Sequence, residues 1–180
     1  MKTLETTIQI YAVRELTNEA TKQAYNEWKS TTPYENSHSM LRSVNEFCRL
    51  FPVKLVDTFY LNGIPYIQWK FTHVDYLKSM HGEELFQYLM DIYGSTLFTS
   101  DGQRHAAPLT GYFADYFLLD PLYRALETRE DVEYDVLLDE CLDSYAKVLF
   151  QDMQEFYSFD AFLRACDEHG YMFLENGRMF

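Results

Sequence analysis

Histidine lies beside carboxylates at two places in the sequence, His73-Val74-Asp75 and His81-Gly82-Glu83-Glu84. Such side chains can transfer protons or hold a divalent metal, as a metal-assisted ribonuclease requires. None of the five histidines has another four residues away, which is the spacing that places two imidazoles on one helix face. A further polar set carries the same side-chain types without a recognisable motif: Asp101, Arg104 and His105. We therefore expect no catalytic site and no bound metal or cofactor. We interpret His81-Gly82-Glu83-Glu84 as the acidic N-terminus of a helix.

A row of acidic residues is the strongest functional signal in the sequence. Asp131, Asp135, Asp139 and Asp143 recur every four residues, so on a straight helix successive carboxylates lie ~6 Å apart along one side. Like charges at this spacing destabilise a helix, which means that local stability alone would not select the row. We expect the row to lie opposite the apolar side of the helix, where it could mimic nucleic-acid phosphates. Four neighbouring glutamates complete the predicted partner-binding set: Glu127, Glu130, Glu133 and Glu140.

Acidic side chains also dominate the composition. The 180 residues include 28 Asp and Glu against 15 Lys and Arg, a formal net charge of −13. Most of the excess lies in residues 91–180, which hold 18 acids and six bases. Such a surface repels nucleic acid and suits a basic partner. We therefore expect no direct contact with nucleic acid and predict a basic nucleic-acid-binding protein as the partner. A solvated face that confers solubility is the alternative interpretation.

Periodicity in the first half of the chain predicts both strands and helices. Alternating residues predict a strand over 6–13, with Ile8, Ile10 and Ala12 on its buried side. Helical spacing then predicts a helix over 18–30 that Thr17 caps, and a second between Ser39 and Pro52. Next come β-branched and aromatic segments over 53–61 and 66–71, on either side of the turn residues Asn62-Gly63-Ile64-Pro65. This order predicts an antiparallel hairpin.

The second half of the chain has mostly helical patterns. A helix is predicted over 83–93, a loop over 95–108, and two short helices over 109–126 because Pro121 interrupts the pattern. A long acidic amphipathic helix is predicted over 131–156. Ser158 and Gly170 bound the last helix. A second hairpin follows around Asn176-Gly177, which is a strong turn signal. The apolar stripe expected on the long helix consists of Tyr134, Leu137, Leu138, Cys141, Tyr145 and Val148.

These elements predict an α+β fold in one domain over residues 1–180. About five short antiparallel strands, in two hairpins, are expected to pack with several helices. Cys48, Cys141 and Cys166 form no C-x-x-C motif and are expected to be reduced core residues. No segment approaches the ~20 apolar residues that span a bilayer, so we expect no membrane contact and a cytoplasmic location.

Two segments resemble a known population of proteins. The sequence IYAVRELTNEATKQAYNEW at 10–28 resembles the strand-then-helix opening of small acidic proteins encoded by phages and mobile elements of Gram-positive bacteria. The sequence GYMFLENGRMF at 170–180 looks like their closing hairpin. Some members of this population are anti-CRISPR proteins that disable Cas9, and others are antitoxin-type proteins. The resemblance transfers no catalytic residue.

Together, charge and resemblance predict an anti-CRISPR-type inhibitor that acts in the host bacterial cytosol. Its acidic helix would occupy a basic channel of a Cas9-like effector with its guide RNA. Two alternatives remain open. One is a metal-assisted ribonuclease, or an enzyme-promoting factor, that degrades guide RNA. The other is an antitoxin that binds a basic toxin.

Overall fold

The chain has an α+β fold. A computed structural model describes residues 7–61, 64–72 and 75–180. Within these ranges it contains seven α-helices, one 3₁₀ helix and one two-stranded antiparallel sheet. The predicted fold class is confirmed, but the expected five short strands in two hairpins are wrong.

Contacts divide the chain into two compact units. Unit 1 combines the described residues up to Glu35 with Asp152–Phe180, and unit 2 is Asn36–Gln151. Unit 2 is therefore continuous in sequence, whereas unit 1 is built from two separate segments. The single domain predicted over 1–180 stays a prediction, because a division by contacts does not test whether either unit folds alone.

Local capping signals place the two main helices of unit 1. Helix α1 (Asn18–Thr31) begins after Thr17, whose hydroxyl accepts a hydrogen bond from the amide three residues on at 3.3 Å. Helix α7 (Phe159–His169) begins after Ser158, whose hydroxyl accepts the equivalent bond at 3.1 Å. Gly170 ends α7 in the left-handed region, with φ of 65°. Both helices are confirmed to within one residue at each end, because caps of this kind depend only on neighbouring residues.

The core of unit 1 joins these helices to the chain segments on either side of them. A short 3₁₀ helix (Val13–Glu15) precedes α1. Arg14 forms an ion pair with Asp167 of α7, with Nη2 and Oδ2 2.7 Å apart. Both side chains are more than half exposed, so this pair contributes little to stability. The core itself is apolar and consists of Val13, Ala24, Trp28, Phe162, Cys166 and Phe173.

The strand predicted over 6–13 is wrong. Among the described residues of that segment only Tyr11 forms a bridge, exchanging two hydrogen bonds of 2.8 and 2.9 Å with Phe173. Ile8 and Ile10 are 56% and 41% exposed. The alternating apolar residues therefore do not form the buried side of a strand. Thr6, the first residue of the predicted strand, lies outside the described residues.

The C-terminal segment forms a tight turn and not the predicted hairpin of strands. Phe173 and Met179 make one isolated bridge, and the Gly177 amide donates to the Leu174 carbonyl at 2.8 Å. Gly177 has a φ of 85°, and a Cβ atom there would lie 2.0 Å from the carbonyl oxygen of Ala20 in α1. Gly177 therefore allows the chain to pack closely against α1, and the turn does not lead into a longer β-ladder.

This close approach predicts that Gly177 tolerates no side chain. Gly177→Ala combines a left-handed backbone with a clash and should destabilise the protein by about 2 kcal/mol or more. Gly170→Ala is the matched control, because Gly170 is also left-handed but a Cβ there meets nothing within 4 Å; it should cost about 1 kcal/mol. Urea unfolding measures both. Equal losses would show that the contact with α1 is unimportant.

Unit 2 begins with a helix followed by the sheet. Helix α2 (Ser37–Leu50) is followed by strands β1 (Val53–Leu61) and β2 (Ile64–Phe71), which pair antiparallel from Val53 opposite Phe71. The pairing has a register shift between Leu55 and Asp57. The predicted first hairpin is confirmed, although Ile64 and Pro65 belong to β2 and not to the turn. Asn62 and Gly63 lie outside the described residues.

Two helices follow the sheet in unit 2. Helix α3 (Asp75–Lys78) is short, and α4 (Gly82–Leu97) extends the predicted helix by four residues at its C-terminal end. Beyond α4, one isolated bridge joins Phe98 to Arg104 in the segment predicted as a loop. No helix in the described ranges combines the length and the apolar character that a membrane-spanning helix requires.

The two short helices predicted over 109–126 are wrong, because one helix crosses Pro121. Helix α5 runs from Ala114 to Thr128 with Pro121 inside it. Proline lacks a donor and costs roughly 3 kcal/mol in a helix interior. The leucines around Pro121 are completely buried, and each stabilises the fold by about 1.5–3 kcal/mol. Burial therefore outweighs the local penalty. These leucines are Leu118, Leu119 and Leu122.

A buried carboxylate anchors the start of α5. Asp115 is 0% exposed. Its side chain accepts hydrogen bonds from the amides of Leu109, Thr110 and Gly111 at 3.1, 2.6 and 3.2 Å, and from the Thr110 hydroxyl at 2.9 Å. The Thr110 hydroxyl is also 3.0 Å from that of Ser43 in α2. This set satisfies the carboxylate without a cation and ties the preceding loop to two helices.

Helix α6 (Tyr134–Phe156) is the longest in the structure and begins three residues later than predicted. Its residues up to Gln151 belong to unit 2 and the rest to unit 1. The expected stripe is buried apart from Val148, which is half-buried. The buried residues of α6 are Tyr134, Leu137, Leu138, Cys141, Leu142, Tyr145 and Ala146.

The three cysteines are free thiols. Cys141 and Cys166 are buried, and Cys48 is half-buried.

Two fully buried tyrosines in unit 2 differ in how their hydroxyls are satisfied. Tyr123 donates to the Leu97 carbonyl at 2.9 Å and lies 3.1 Å from that of His105. The Tyr134 hydroxyl makes no hydrogen bond within 3.5 Å among the described residues, although it interacts with the hydroxyl of Tyr93. Burial raises the pKa of Tyr123 to about 12 and that of Tyr134 further, so both are neutral at physiological pH.

This difference predicts opposite effects of the same substitution. Tyr123→Phe should destabilise the protein by about 1 kcal/mol because a buried hydrogen bond is lost. Tyr134→Phe should be neutral or stabilise by about 1 kcal/mol, because the buried hydroxyl that it removes has no well-formed hydrogen bond. Urea midpoints of the two variants test this. A larger loss for Tyr134→Phe would mean that its hydroxyl has a partner in solution.

Candidate functional site

The predicted partner-binding carboxylates are not equivalent in the structure. Because α6 begins at Tyr134, Asp131 and Glu133 precede the helix, while Glu127 belongs to the end of α5. The helical part of the aspartate row is reduced to Asp135, Asp139 and Asp143. The eight residues differ mainly in whether another side chain already holds them.

The three aspartates of the row that lie on α6 are half-buried. Asp135 forms an ion pair with Lys78, with Oδ2 and Nζ 3.7 Å apart. Asp139 accepts a hydrogen bond from the Trp69 indole of β2 at 2.6 Å. Burial, reinforced by the charge of Asp139, raises the pKa of Asp143. The helical part of the row is therefore not freely exposed, and its role in binding a partner stays a prediction.

Two further carboxylates of the set have partners outside α6. The guanidinium of Arg104 donates two hydrogen bonds of 2.5 Å to Glu127 and one of 3.2 Å to Asp120. The bonds from Arg104 lower the pKa of Glu127. Asp131 lies 2.7 Å from Nδ1 of His81, at the N-terminus of α4.

The four remaining carboxylates of the set have neither an ion pair nor a side-chain hydrogen bond with a described residue, and we call them the acidic face: Glu130, Glu133, Glu140 and Asp143. None approaches a basic nitrogen of a described residue within 4.0 Å. The three glutamates are exposed and Asp143 is half-buried. Glu133 directly precedes α6, and Glu140 and Asp143 lie on it. Glu130, Glu140 and Asp143 line one polar depression of about 370 Å³, together with Arg124 and Lys147.

The charge of unit 2 reinforces the acidic face. Residues 36–151 contain 17 acids and nine bases, a formal charge of −8. Ion pairs already engage five of those bases: Arg49, Lys78, Arg104, Arg124 and Arg129. The excess negative charge therefore has few internal cations to neutralise it.

Where the structure describes them, the histidines and carboxylates noted in the sequence have separate partners. His81 contacts Asp131, while the neighbouring Glu83 forms an ion pair with Arg129 at 2.9 Å. The carboxylate of Asp101 accepts from the Thr99 hydroxyl. His73, Val74 and the side chain of Asp75 lie outside the described part of the chain. Among the described residues, no group of three or more His, Cys, Asp or Glu side chains could hold a metal ion.

The partners of the carboxylates are what the sequence pattern missed. Trp69, Lys78 and His81 are 50 to 70 residues from the acids that they contact. No local spacing signals such pairs. Of the tyrosines near the acidic helix in sequence, Tyr116 is exposed, whereas Tyr123 is a core residue.

Known proteins offer no relative from which to transfer a function. Comparisons of the chain with protein-family models, with curated proteins and with solved structures find no match. The resemblance to phage-encoded and anti-CRISPR proteins therefore stays an expectation.

The His81–Asp131 contact predicts a histidine that holds its proton above the usual pH. The hydrogen bond and the charge of Asp131 are the main causes that raise the pKa of His81, with smaller contributions from Glu133 and Glu84. Asp131→Asn should lower that pKa towards 6.5, and Glu84→Gln should lower it less. Titration of the imidazole resonances by NMR measures both changes.

The same contact predicts a pH-dependent stability. A histidine whose pKa is raised on folding stabilises the protein fully below its unfolded pKa of about 6.5, and this stabilisation disappears as the pH rises through the folded value. The difference in melting temperature between the parent and Asp131→Asn should therefore be larger at about pH 6 than at about pH 8.5. A difference that is independent of pH would contradict a protonated pair.

Proposed function

We propose that this protein is a binding protein that uses its acidic face to occupy a basic surface of a nucleic-acid-handling protein. A Cas9-type effector with its guide RNA is the partner that the resemblance implies. Binding there would exclude the nucleic acid that the basic surface normally holds. The protein would then act as an inhibitor without touching nucleic acid itself.

One observation carries this proposal: four of the eight predicted carboxylates have neither an ion pair nor a side-chain hydrogen bond with a described residue, although ion pairs engage five of the bases of unit 2. An exposed carboxylate without an internal partner keeps its full charge for an external cation. The glutamates of the acidic face are exposed, so a partner's lysine or arginine can reach them without unfolding any element.

Electrostatics of this kind acts mainly on the rate of association. A charged surface steers an oppositely charged partner and can raise the association rate by 10–10³-fold at low salt. Exposed charges are screened beyond about 8 Å at physiological ionic strength. The contribution of the acidic face should therefore weaken as salt is added, which separates it from apolar contacts.

Neutralising the acidic face should reduce binding more than neutralising equal charge elsewhere. The test variant is Glu130→Gln/Glu133→Gln/Glu140→Gln, which removes three exposed charges and leaves the carboxylates with internal partners intact. We expect its association rate with a purified Cas9–guide RNA complex to fall about tenfold at low salt. Surface plasmon resonance over a range of salt measures the rate, and DNA cleavage by the complex reports inhibition.

The control variant is Glu19→Gln/Glu168→Gln/Glu175→Gln in unit 1. These glutamates are also exposed and form no ion pair with a described residue. Equal loss in both variants would show that net charge matters and the acidic face does not. Undiminished inhibition by the test variant would contradict the proposal, and fragmented guide RNA would favour the ribonuclease alternative.

A further inference from the structure

Three aromatic residues form an exposed cluster at the start of α5 in unit 2. Phe113, Tyr116 and Phe117 are 42%, 46% and 37% exposed, and we call them the aromatic platform. The ring centres of Phe113 and Phe117 are 6.3 Å apart and those of Tyr116 and Phe117 are 5.3 Å apart, both in edge-to-face contact. Exposed apolar side chains are normally scattered singly, so a contiguous cluster of rings indicates a contact site for another molecule.

The backbone that carries the platform is held in one conformation. Asp115 is completely buried and accepts hydrogen bonds from the amides of residues 109–111. The amide of Tyr116 also donates to the carbonyl of Phe113 at 3.2 Å. Binding to rings on such an ordered backbone costs little conformational entropy. Aromatic anchors of this kind dominate the energetics of many protein interfaces.

Within the described part of the chain, no lysine or arginine lies over a ring of the platform. Other rings of unit 2 do have such a cation. The guanidinium of Arg129 lies 4.4 Å from the centre of the Phe86 ring, and that of Arg104 lies 5.0 Å from the centre of the Tyr123 ring. The faces of aromatic rings are partly negative, so those of the platform are available to a cation of another molecule.

The platform adjoins the polar depression that contains three of the four carboxylates of the acidic face. Phe117 precedes Pro121 and Arg124 by four and seven residues on α5, so the three share one side of the helix. Pro121 and Arg124 line that depression. Arg124 lies ~10 Å further along α5 than Phe117, and an extended chain covers this distance in about three residues.

The charges at this surface do not balance. Arg104 and Arg124 form ion pairs with Asp120 and Glu127, and these four charges cancel. The depression then has only Lys147 to offset the three carboxylates of the acidic face that line it. The excess negative charge therefore favours a cationic ligand beside the rings.

We propose that the aromatic platform binds an arginine of the basic partner, with the guanidinium stacked on an exposed ring. Basic side chains about three residues away in the same extended segment would lie against the carboxylates of the depression. Arginine suits this site better than lysine, because its planar guanidinium stacks on aromatic rings and is more weakly hydrated. The inference rests on the proposed function for a basic partner and adds the residue type that this partner presents.

Charge separates this occupant from two others. A second copy of the chain would place two negatively charged depressions side by side, which opposes association. Nucleic-acid bases can also stack on exposed rings, but the neighbouring carboxylates would repel their phosphates. An arginine satisfies both the rings and the negative surface beside them.

The test uses two short peptides of equal charge. One has arginine at every third position and serine elsewhere, and the other has lysine in place of each arginine. We expect the parent protein to bind the arginine peptide more tightly in fluorescence anisotropy at low salt. Phe113→Leu/Phe117→Leu should weaken binding of the arginine peptide by about two- to fivefold and affect the lysine peptide less. Leucine keeps an apolar surface and favours the helix, so the variant should fold.

Tyr76→Leu is the control, because Tyr76 is an aromatic residue of α3 that is 66% exposed and lies outside the platform. It should leave both affinities unchanged. Undiminished binding of the arginine peptide by Phe113→Leu/Phe117→Leu would overturn the proposal. Equal affinity of the parent for the two peptides, or tighter binding of a single-stranded oligothymidylate than of the arginine peptide, would overturn it as well.

The peptides test the platform separately from the proposed function. If the Cas9–guide RNA complex does not bind the protein while the peptide results are as expected, the proposed function is contradicted and the platform is supported. If Glu130→Gln/Glu133→Gln/Glu140→Gln weakens binding to that complex but the platform variant binds the arginine peptide normally, only the platform is overturned.

Discussion

Along α6, the apolar stripe within unit 2 is buried almost completely from Tyr134 to Ala146. A carboxylate beside such a stripe is partly removed from water and needs a donor or a cation close by. Asp135 and Asp139 obtain these from Lys78 and Trp69. One constraint thus links the helix, the sheet and the short α3, and it decides which acids remain available to a partner.

The acidic residues of unit 2 therefore serve two purposes. Those with internal partners hold separate segments together, as Glu127 does with Arg104 and Asp131 with His81. Exposed pairs of this kind contribute little to stability individually, but they set the position of the loops around α4. Those without partners keep their charge for association. Counting acids along the sequence cannot separate these groups, because all of them look alike until their neighbours are known.

The acidic face determines the kind of binding that this surface can support. Exposed charges act at a distance, speed the encounter and lose their effect in salt. Apolar contacts act only at short range and determine how long a complex survives, because burial of apolar area is insensitive to screening. The four carboxylates therefore affect the rate at which a complex forms more than its lifetime.

Properties that depend on neighbouring residues could be predicted from the sequence. The caps at Thr17 and Ser158 and the stop at Gly170 placed α1 and α7, and helical spacing identified the buried stripe of α6. Properties that depend on distant residues could not. Asn176-Gly177 forms the predicted turn, but there the chain packs closely against α1 and does not continue as a β-hairpin. Helix α5 continues past Pro121 because the leucines around it are buried. Regular spacing predicted one row of four aspartates. Residues 50 to 70 positions away bind three of them and leave Asp143 without such a partner. Such pairings arise only when tertiary folding brings distant segments together, since no local pattern encodes them.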